Sequence, residues 1–253
     1  MSMFNTVLAQ VLRTNIALQH ACFRLQADVD GEALHDLRIQ LRRLRSLLLP
    51  LRKIGAAKRL DNAAAKLAQL TAPVRDCEVL ASALEHAGYG ELAAPRRAAL
   101  RQDYGRVLRS RALARLLAEL DEWPDLFRLD WIAGDARNLR KKVLRKMARQ
   151  ISRLTQALDD PAFDRHKLRI LAKHTRYMLD AYPRQASVAP EVVCSLRAVL
   201  SALGTWHDLF QWCRKADTEL DLQPLLPGWQ RAAANALRNA EAEIMRLRHL
   251  LEA

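Results

Sequence analysis

The sequence predicts an all-α protein, a helical bundle of about ten helices. Glycine is scarce, with 8 residues in 253, and alanine, leucine and arginine dominate, which favours helix nearly everywhere. No run of alternating valine, isoleucine and threonine reads as a β-strand. Half of the residues are hydrophobic, which is enough to bury a substantial core.

Glycine, proline and Asp/Thr-rich breaks set the predicted ends of the helices. Pro50 lies inside the second helix and is expected to kink or end it. Trp123-Pro124 and Gly204 are expected to end two others. The predicted spans are 3–27, 31–53, 56–70, 74–87 and 95–120, then 134–158, 164–181, 189–203, 206–219 and 228–251.

A basic stripe on the second helix is the first candidate site. His35 is followed by Arg38, Arg42 and Arg45, and a helix of about 100° per residue places all four side chains within an arc of about 80°. The stripe of leucines that begins at Leu34 lies beside this arc, not opposite to it. Cations on the shoulder of a buried seam line a groove, where a lower dielectric strengthens the attraction for an anion.

The same pattern occurs again in the second half of the chain, as His166, Arg169, Lys173 and Arg176. A tandem duplication is the simplest explanation, and it predicts a single domain over 1–253. Repeat one would span about 3–122 and repeat two about 134–253, with about five helices each. Approximate two-fold symmetry would let the two basic helices face a shared cleft, and their N-termini would add a favourable dipole toward an anion.

Composition restricts the class of partner. The formal net charge is +13 and the pI about 10.2, so the chain should attract a polyanion. Residues 137–153 hold eight Lys or Arg and no acid, and we expect Arg137, Lys141 and Arg145 to enter the cleft. The four cysteines lack Cys-x-x-Cys spacing and are expected to be reduced core residues. Without an apolar run of membrane-spanning length or a secretion signal, we expect a cytoplasmic protein with no membrane partner.

These strings resemble a known family. His35-x-x-Arg38 with Arg42, Arg43 and Arg45, and the later His166 string, are similar to the two motif helices of the CHAD family, the conserved histidine α-helical domain. Arg75-Asp76 and Leu203-Gly204 with Asp208 resemble its paired Leu-Gly-x-x-Arg-Asp elements, although His207 stands where that pattern has Arg and Ala72-Pro73 replaces a glycine.

The resemblance implies non-catalytic binding of inorganic polyphosphate through a basic surface, and association with polyphosphate granules. Physical chemistry agrees, because a guanidinium pairs two donors with two phosphate oxygens and keeps its charge. The candidate binding residues are His35, Arg38, Arg42, Arg43, Arg45, Arg137, Lys141, Arg145, His166, Lys167, Arg169, Lys173 and Arg176.

Other functions are less favoured by the sequence. A nucleic-acid-binding or nucleoid protein fits the charge, but few aromatic residues interleave with the basic clusters for base stacking. An enzyme is not expected: Glu241-Ala-Glu243 lacks the lysine of a triphosphate-tunnel strand, and no carboxylates converge on a metal. We predict no cofactor. His35 and His166 either cap or border the core, or donate to phosphate when protonated, while Asp76 and Asp208 are expected to orient a neighbouring arginine.

Overall fold

A computed structural model describes residues 2–134 and 138–252. Within these ranges the chain forms ten α-helices and two 3-10 helices without any β-strand, which confirms the all-α class. The 3-10 helices are Leu49–Leu51 and Leu220–Leu225. The α-helices are α1 Met3–Gln26, α2 Ala33–Leu48, α3 Gly55–Leu70, α4 Ala72–His86, α5 Gly90–Leu108, α6 Arg111–Ile132, α7 Leu139–Asp159, α8 Arg165–Ala181, α9 Pro190–Ala216 and α10 Leu226–Glu252.

The chain divides into two compact units, Met1–Val143 and Leu144–Ala253. Helices α1 to α6 lie in the first unit, α8 to α10 lie in the second, and α7 crosses the boundary. The described residues therefore give six helices before α7, not the five expected for the first repeat. The single domain and the repeat boundaries stay predictions.

The predicted helix 95–120 is wrong, because the chain breaks between α5 and α6. Ser110 has extended backbone, and its side chain accepts a hydrogen bond from the backbone N–H of Leu113 at 3.1 Å. A serine in this position is a normal helix N-cap. The short break contains neither glycine nor proline, the two signals used to place helix ends.

Two predicted breaks are also wrong, because α6 runs through Pro124 and α9 runs through Gly204. Trp123 and Phe127 are almost fully buried and stack with ring centroids 4.4 Å apart. Burial of two large aromatic rings offsets the hydrogen bond that a proline removes from the helix. At Pro50 the prediction is confirmed: α2 ends at Leu48 and a 3-10 turn follows.

Helix α2 is fixed in the first unit by its leucine stripe. Leu34, Leu37, Leu41 and the two further leucines at 44 and 48 are all 0% exposed, and α2 packs against both α1 and α3. Burying a leucine side chain stabilises a fold by about 1.5–3 kcal/mol. This stripe therefore sets the rotation of α2 about its axis, and with it the direction of the basic residues.

In the second unit, α8 packs on α9, and α9 runs along α10. The apolar seam of α8, which begins at Leu168 and Ala172, is buried. Arg165 at the start of α8 forms a two-pronged ion pair with Glu241 of α10, with N···O distances of 2.6 and 3.0 Å. The Glu241 carboxylate thus has a structural partner and holds the N-terminus of α8 against α10.

The cysteines differ from expectation in one respect. All four are free thiols, but Cys194 is exposed, and the other three are half-buried, so the expectation of core cysteines is wrong for Cys194.

Among the described helices, none combines the length and the apolar character that crossing a bilayer requires.

Three buried carboxylates in the first unit, Asp61, Glu78 and Glu119, each meet arginine side chains. Glu78 of α4 is 4% exposed; it accepts hydrogen bonds from Arg75 and from the hydroxyl of Tyr104 on α5, both at 2.5 Å. Burial and this carboxylate raise the pKa of Tyr104. The phenol therefore stays protonated and joins α5 to α4.

We expect Glu78→Ala to lower the free energy of unfolding by about 2–3 kcal/mol, because a buried hydroxyl and a guanidinium lose their acceptor. Urea denaturation followed by circular dichroism measures this. Glu85→Ala is the control on the same helix, where the carboxylate is exposed and pairs with the exposed Arg97; it should change the value by about 0.5 kcal/mol or less. Equal effects of the two substitutions would contradict the structural role of Glu78.

Candidate anion-binding faces of α2 and α8

The first basic face, here called the α2 face, comprises His35, Arg38, Arg42 and Arg45. All four side chains are half-buried, beside leucines that are fully buried. This is the shoulder position that the sequence predicted. Burial and then the field of Arg42 lower the pKa of Arg38, but a guanidinium remains charged at any physiological pH.

Arg38 has a structural role that the sequence did not reveal. Its Nη1 donates to the backbone oxygen of Ala68 at 3.0 Å and to Oγ1 of Thr71 at 2.8 Å. Ala68 and Thr71 lie at the C-terminal end of α3, where carbonyl oxygens lack helical partners and a cation is favoured. Arg38 therefore caps α3 from α2.

Arg45 of the α2 face contacts a buried acid of α3. Its Nε lies 3.4 Å from Asp61 of α3, and Arg52 contacts the same carboxylate at 2.7 Å. Asp61 is 5% exposed, so this acid offsets part of the charge of Arg45 within the protein. Arg43, also predicted to bind, is exposed and lies about 80° from His35 around the helix, away from Arg42.

Acidic residues near His35 form ion pairs with arginines. Asp36 pairs with Arg24 of α1 at 2.6 Å. Arg75 is held by Glu78, and the charge of the exposed Asp76 acts on Arg38; the expectation that Asp76 orients a neighbouring arginine stays a prediction. Burial, followed by the fields of Arg75 and Arg42, lowers the pKa of His35. His35 is therefore neutral at pH 7 in the absence of an anion.

The second basic face, here called the α8 face, comprises His166, Arg169, Lys173 and Arg176. His166 is exposed and the three cations are half-buried, again beside a buried seam. Arg176 lies 3.6 Å from Asp180, one turn further along α8, and its guanidinium is 5.8 Å from the Tyr177 ring centre.

The N-terminus of α8 is already capped. Asp164 accepts a hydrogen bond from the backbone N–H of Lys167 at 2.7 Å. The expectation that this N-terminus favours an anion is therefore wrong in part, because a carboxylate occupies the position. The side chain of Lys167, another predicted binding residue, is exposed.

His207 of α9 joins the α8 face, which the sequence did not predict. Its Nδ1 lies 3.3 Å from Nδ1 of His166, and the ring centroids are 4.9 Å apart. Burial lowers the pKa of His207 to about 4, with further contributions from Arg169, His166 and Lys173. The one available signal was the histidine at a position where the resembled family pattern has arginine.

Of the other predicted residues, Lys141 and Arg145 lie on α7 and are exposed, and Arg137 lies outside the described residues. In the described parts of the chain, no three His, Cys, Asp or Glu side chains cluster as metal ligands would. The shared cleft expected from the sequence stays a prediction.

Comparison with known proteins identifies the family. A family model described as CHAD domain matches residues 11–217. The crystal structure of the CHAD domain from the plant Ricinus communis superposes with a TM-score of 0.69 at 22% identity, covering 100% of this chain and 92% of that chain, which shows a common fold. No curated protein sequence matches. Since the family model spans most of the sequence, the chain belongs to the CHAD domain family.

Proposed function

We propose that this protein binds inorganic polyphosphate without catalysing its conversion, through the α2 and α8 faces. The observation that carries the proposal is the repeated placement of half-buried cations beside an apolar seam, at Arg38 and Arg42 on α2 and at Arg169 and Lys173 on α8. The proposal also draws on the family's association with polyphosphate. Cytoplasmic polyphosphate granules are the location that goes with it.

The ligand chemistry matches these faces. A linear polyphosphate carries roughly one negative charge per phosphate and has no bases, so it requires a row of cations and no base-reading groups. Arg38 uses only Nη1 to cap α3, and its other N–H groups make no hydrogen bond to the described residues. They are the donors that a phosphate oxygen would engage.

The competing candidate is a nucleic acid, and one observation favours it. Trp206 and Phe210 of α9 stack with ring centroids 5.7 Å apart, and Trp206 is 6.5 Å from the His207 ring. Phe210 is exposed, so aromatic surface does lie near the α8 face. Single-stranded nucleic acids bind through such combinations of stacking and charge.

Charge removal should separate the proposed faces from general basicity. We expect Arg38→Gln with Arg42→Gln, and separately Arg169→Gln with Lys173→Gln, to weaken binding of a labelled long-chain polyphosphate by about 10- to 100-fold each, because charge-assisted hydrogen bonds to phosphate are lost. Fluorescence anisotropy at fixed salt measures the affinity.

Matched controls remove two charges elsewhere in the same unit. These are Arg106→Gln with Arg109→Gln at the C-terminal end of α5, and Arg231→Gln with Arg238→Gln on α10, all exposed. Each control pair should change affinity by about two-fold or less at physiological salt. A thermal melt of each variant is needed because Arg38 also caps α3. Equal losses for face and control pairs in folded proteins would contradict the proposed site.

Competition should discriminate between the two ligand classes. At equal phosphate concentration, unlabelled polyphosphate should displace the labelled polymer far better than duplex DNA or a single-stranded oligonucleotide. The logarithm of affinity should also fall linearly with the logarithm of salt concentration, and less steeply after a face pair is removed. Displacement by the oligonucleotide at the same concentration would favour the nucleic-acid alternative.

A further inference from the structure

The contact between His166 and His207 restricts their protonation. Two Nδ1 atoms 3.3 Å apart form a hydrogen bond only when one carries a proton and the other accepts it. The pair can therefore be neutral, or carry one positive charge with both Nε2 atoms protonated. Protonating both rings fully would set one N–H against the other and break the contact.

We propose that the His166–His207 pair is a proton-linked phosphate site: one proton and one phosphate group bind to it together, with Arg169 and Lys173 as the fixed cations. This inference deepens the proposed function, on which it rests for the identity of the polymer. In the singly protonated pair, both Nε2–H groups are donors, and the added charge lies next to the guanidinium and ammonium groups that attract the phosphate.

The charges around the pair explain the coupling. Among the described residues, the permanent charges that act on His207 are those of Arg169 and Lys173, both on α8. Elsewhere along α8, Glu241 of α10 is held by Arg165, and the neutral Gln150 of α7 bonds to Thr175. Asp208 follows His207 on α9 and is half-buried.

A bound anion would favour the protonated form of His207 over the neutral form. Without it, burial and the neighbouring cations keep the ring neutral, which is the cause of its lowered pKa. A phosphate bound to Arg169 and Lys173 cancels their repulsion and accepts a hydrogen bond from the protonated ring. Linkage is reciprocal: if the bound anion makes the proton bind more tightly, then the bound proton makes the anion bind more tightly. The affinity for the anion therefore rises as pH falls.

The sign and size of the effect follow. A histidine with a depressed pKa is neutral at pH 7 and takes up its proton only as pH falls through the depressed value, here about 4. If bound phosphate restores the ordinary pKa of about 6.5, polymer affinity should increase as pH falls below about 7, by up to about 30-fold at pH 5. An arginine at position 207 would give permanent charge and no such dependence.

The first experiment uses sulfate, whose charge is constant over this pH range. Proton NMR titration of the histidine C2–H signals, in sulfate and in chloride at equal ionic strength, measures the pKa of His207 directly. We expect sulfate to raise it by about one unit or more. His86 on α4, which is exposed and contacts Ser82, is the internal control and should not respond. An unchanged titration of His207 would overturn the proposal.

The second experiment measures long-chain polyphosphate affinity at about pH 8 and pH 5. The unsubstituted protein should bind polyphosphate more tightly at pH 5 than at pH 8. The His207→Arg variant should bind it tightly at both pH values, and the His207→Gln variant should lose most of the pH dependence. His86→Gln, on the exposed histidine of α4 that lies outside both faces, is the control and should keep the pH dependence. Equal affinity of the unsubstituted protein at both values would contradict the linkage.

The two experiments fail separately. If sulfate raises the pKa of His207 but polyphosphate does not bind at either pH, the proposed function is wrong and the proton-linked anion site stands. If polyphosphate binds with an unchanged titration of His207, the proposed function stands and the proton-linked site is wrong.

Discussion

Partial removal of cations from water is the constraint on which both basic faces depend. Fully buried leucines on α2 hold Arg38, Arg42 and Arg45 at the edge of the core, where the charged form of a side chain is less well solvated. Arginine keeps its charge under these conditions, whereas histidine loses it, as the lowered pKa values of His35 and His207 show. The same environment thus makes arginine a permanent cation and histidine a conditional one.

Buried carboxylates determine which arginines are held in ion pairs that stabilise the fold. Asp61 engages Arg45 and Arg52, and Glu78 engages Arg75, so part of the positive charge of the first unit is offset within the protein. A buried acid without a cation would be strongly destabilising, and these pairs also fix the rotamers of their arginines. The number of lysines and arginines therefore overstates the number of cations that a ligand meets, because some arginines are already engaged by buried acids.

The sequence predicted the features that depend on the period of a helix. It did not predict the features that depend on contacts between helices. The shoulder position of His35 and Arg42 follows from a repeat of 3.6 residues and needs no tertiary information. The continuation of α6 through Pro124 depends on the burial of Trp123, which propensity does not contain. Likewise the acid that engages Arg45 and the histidine that meets His166 are recognised only once α3 and α9 are placed. Their spacing along the chain has no regular relation to the basic stripes.

The bond from Arg38 to the end of α3 has a consequence for the entropy of recognition. Thr71, which accepts from Arg38 at 2.8 Å, also donates to the backbone oxygen of Leu67 at 2.9 Å, so the guanidinium plane is held by a side chain that is itself held by its helix. A long side chain that is already ordered loses little rotational freedom on meeting a phosphate, whereas a mobile lysine would lose more. Arg38 is thus preorganised before any polymer arrives.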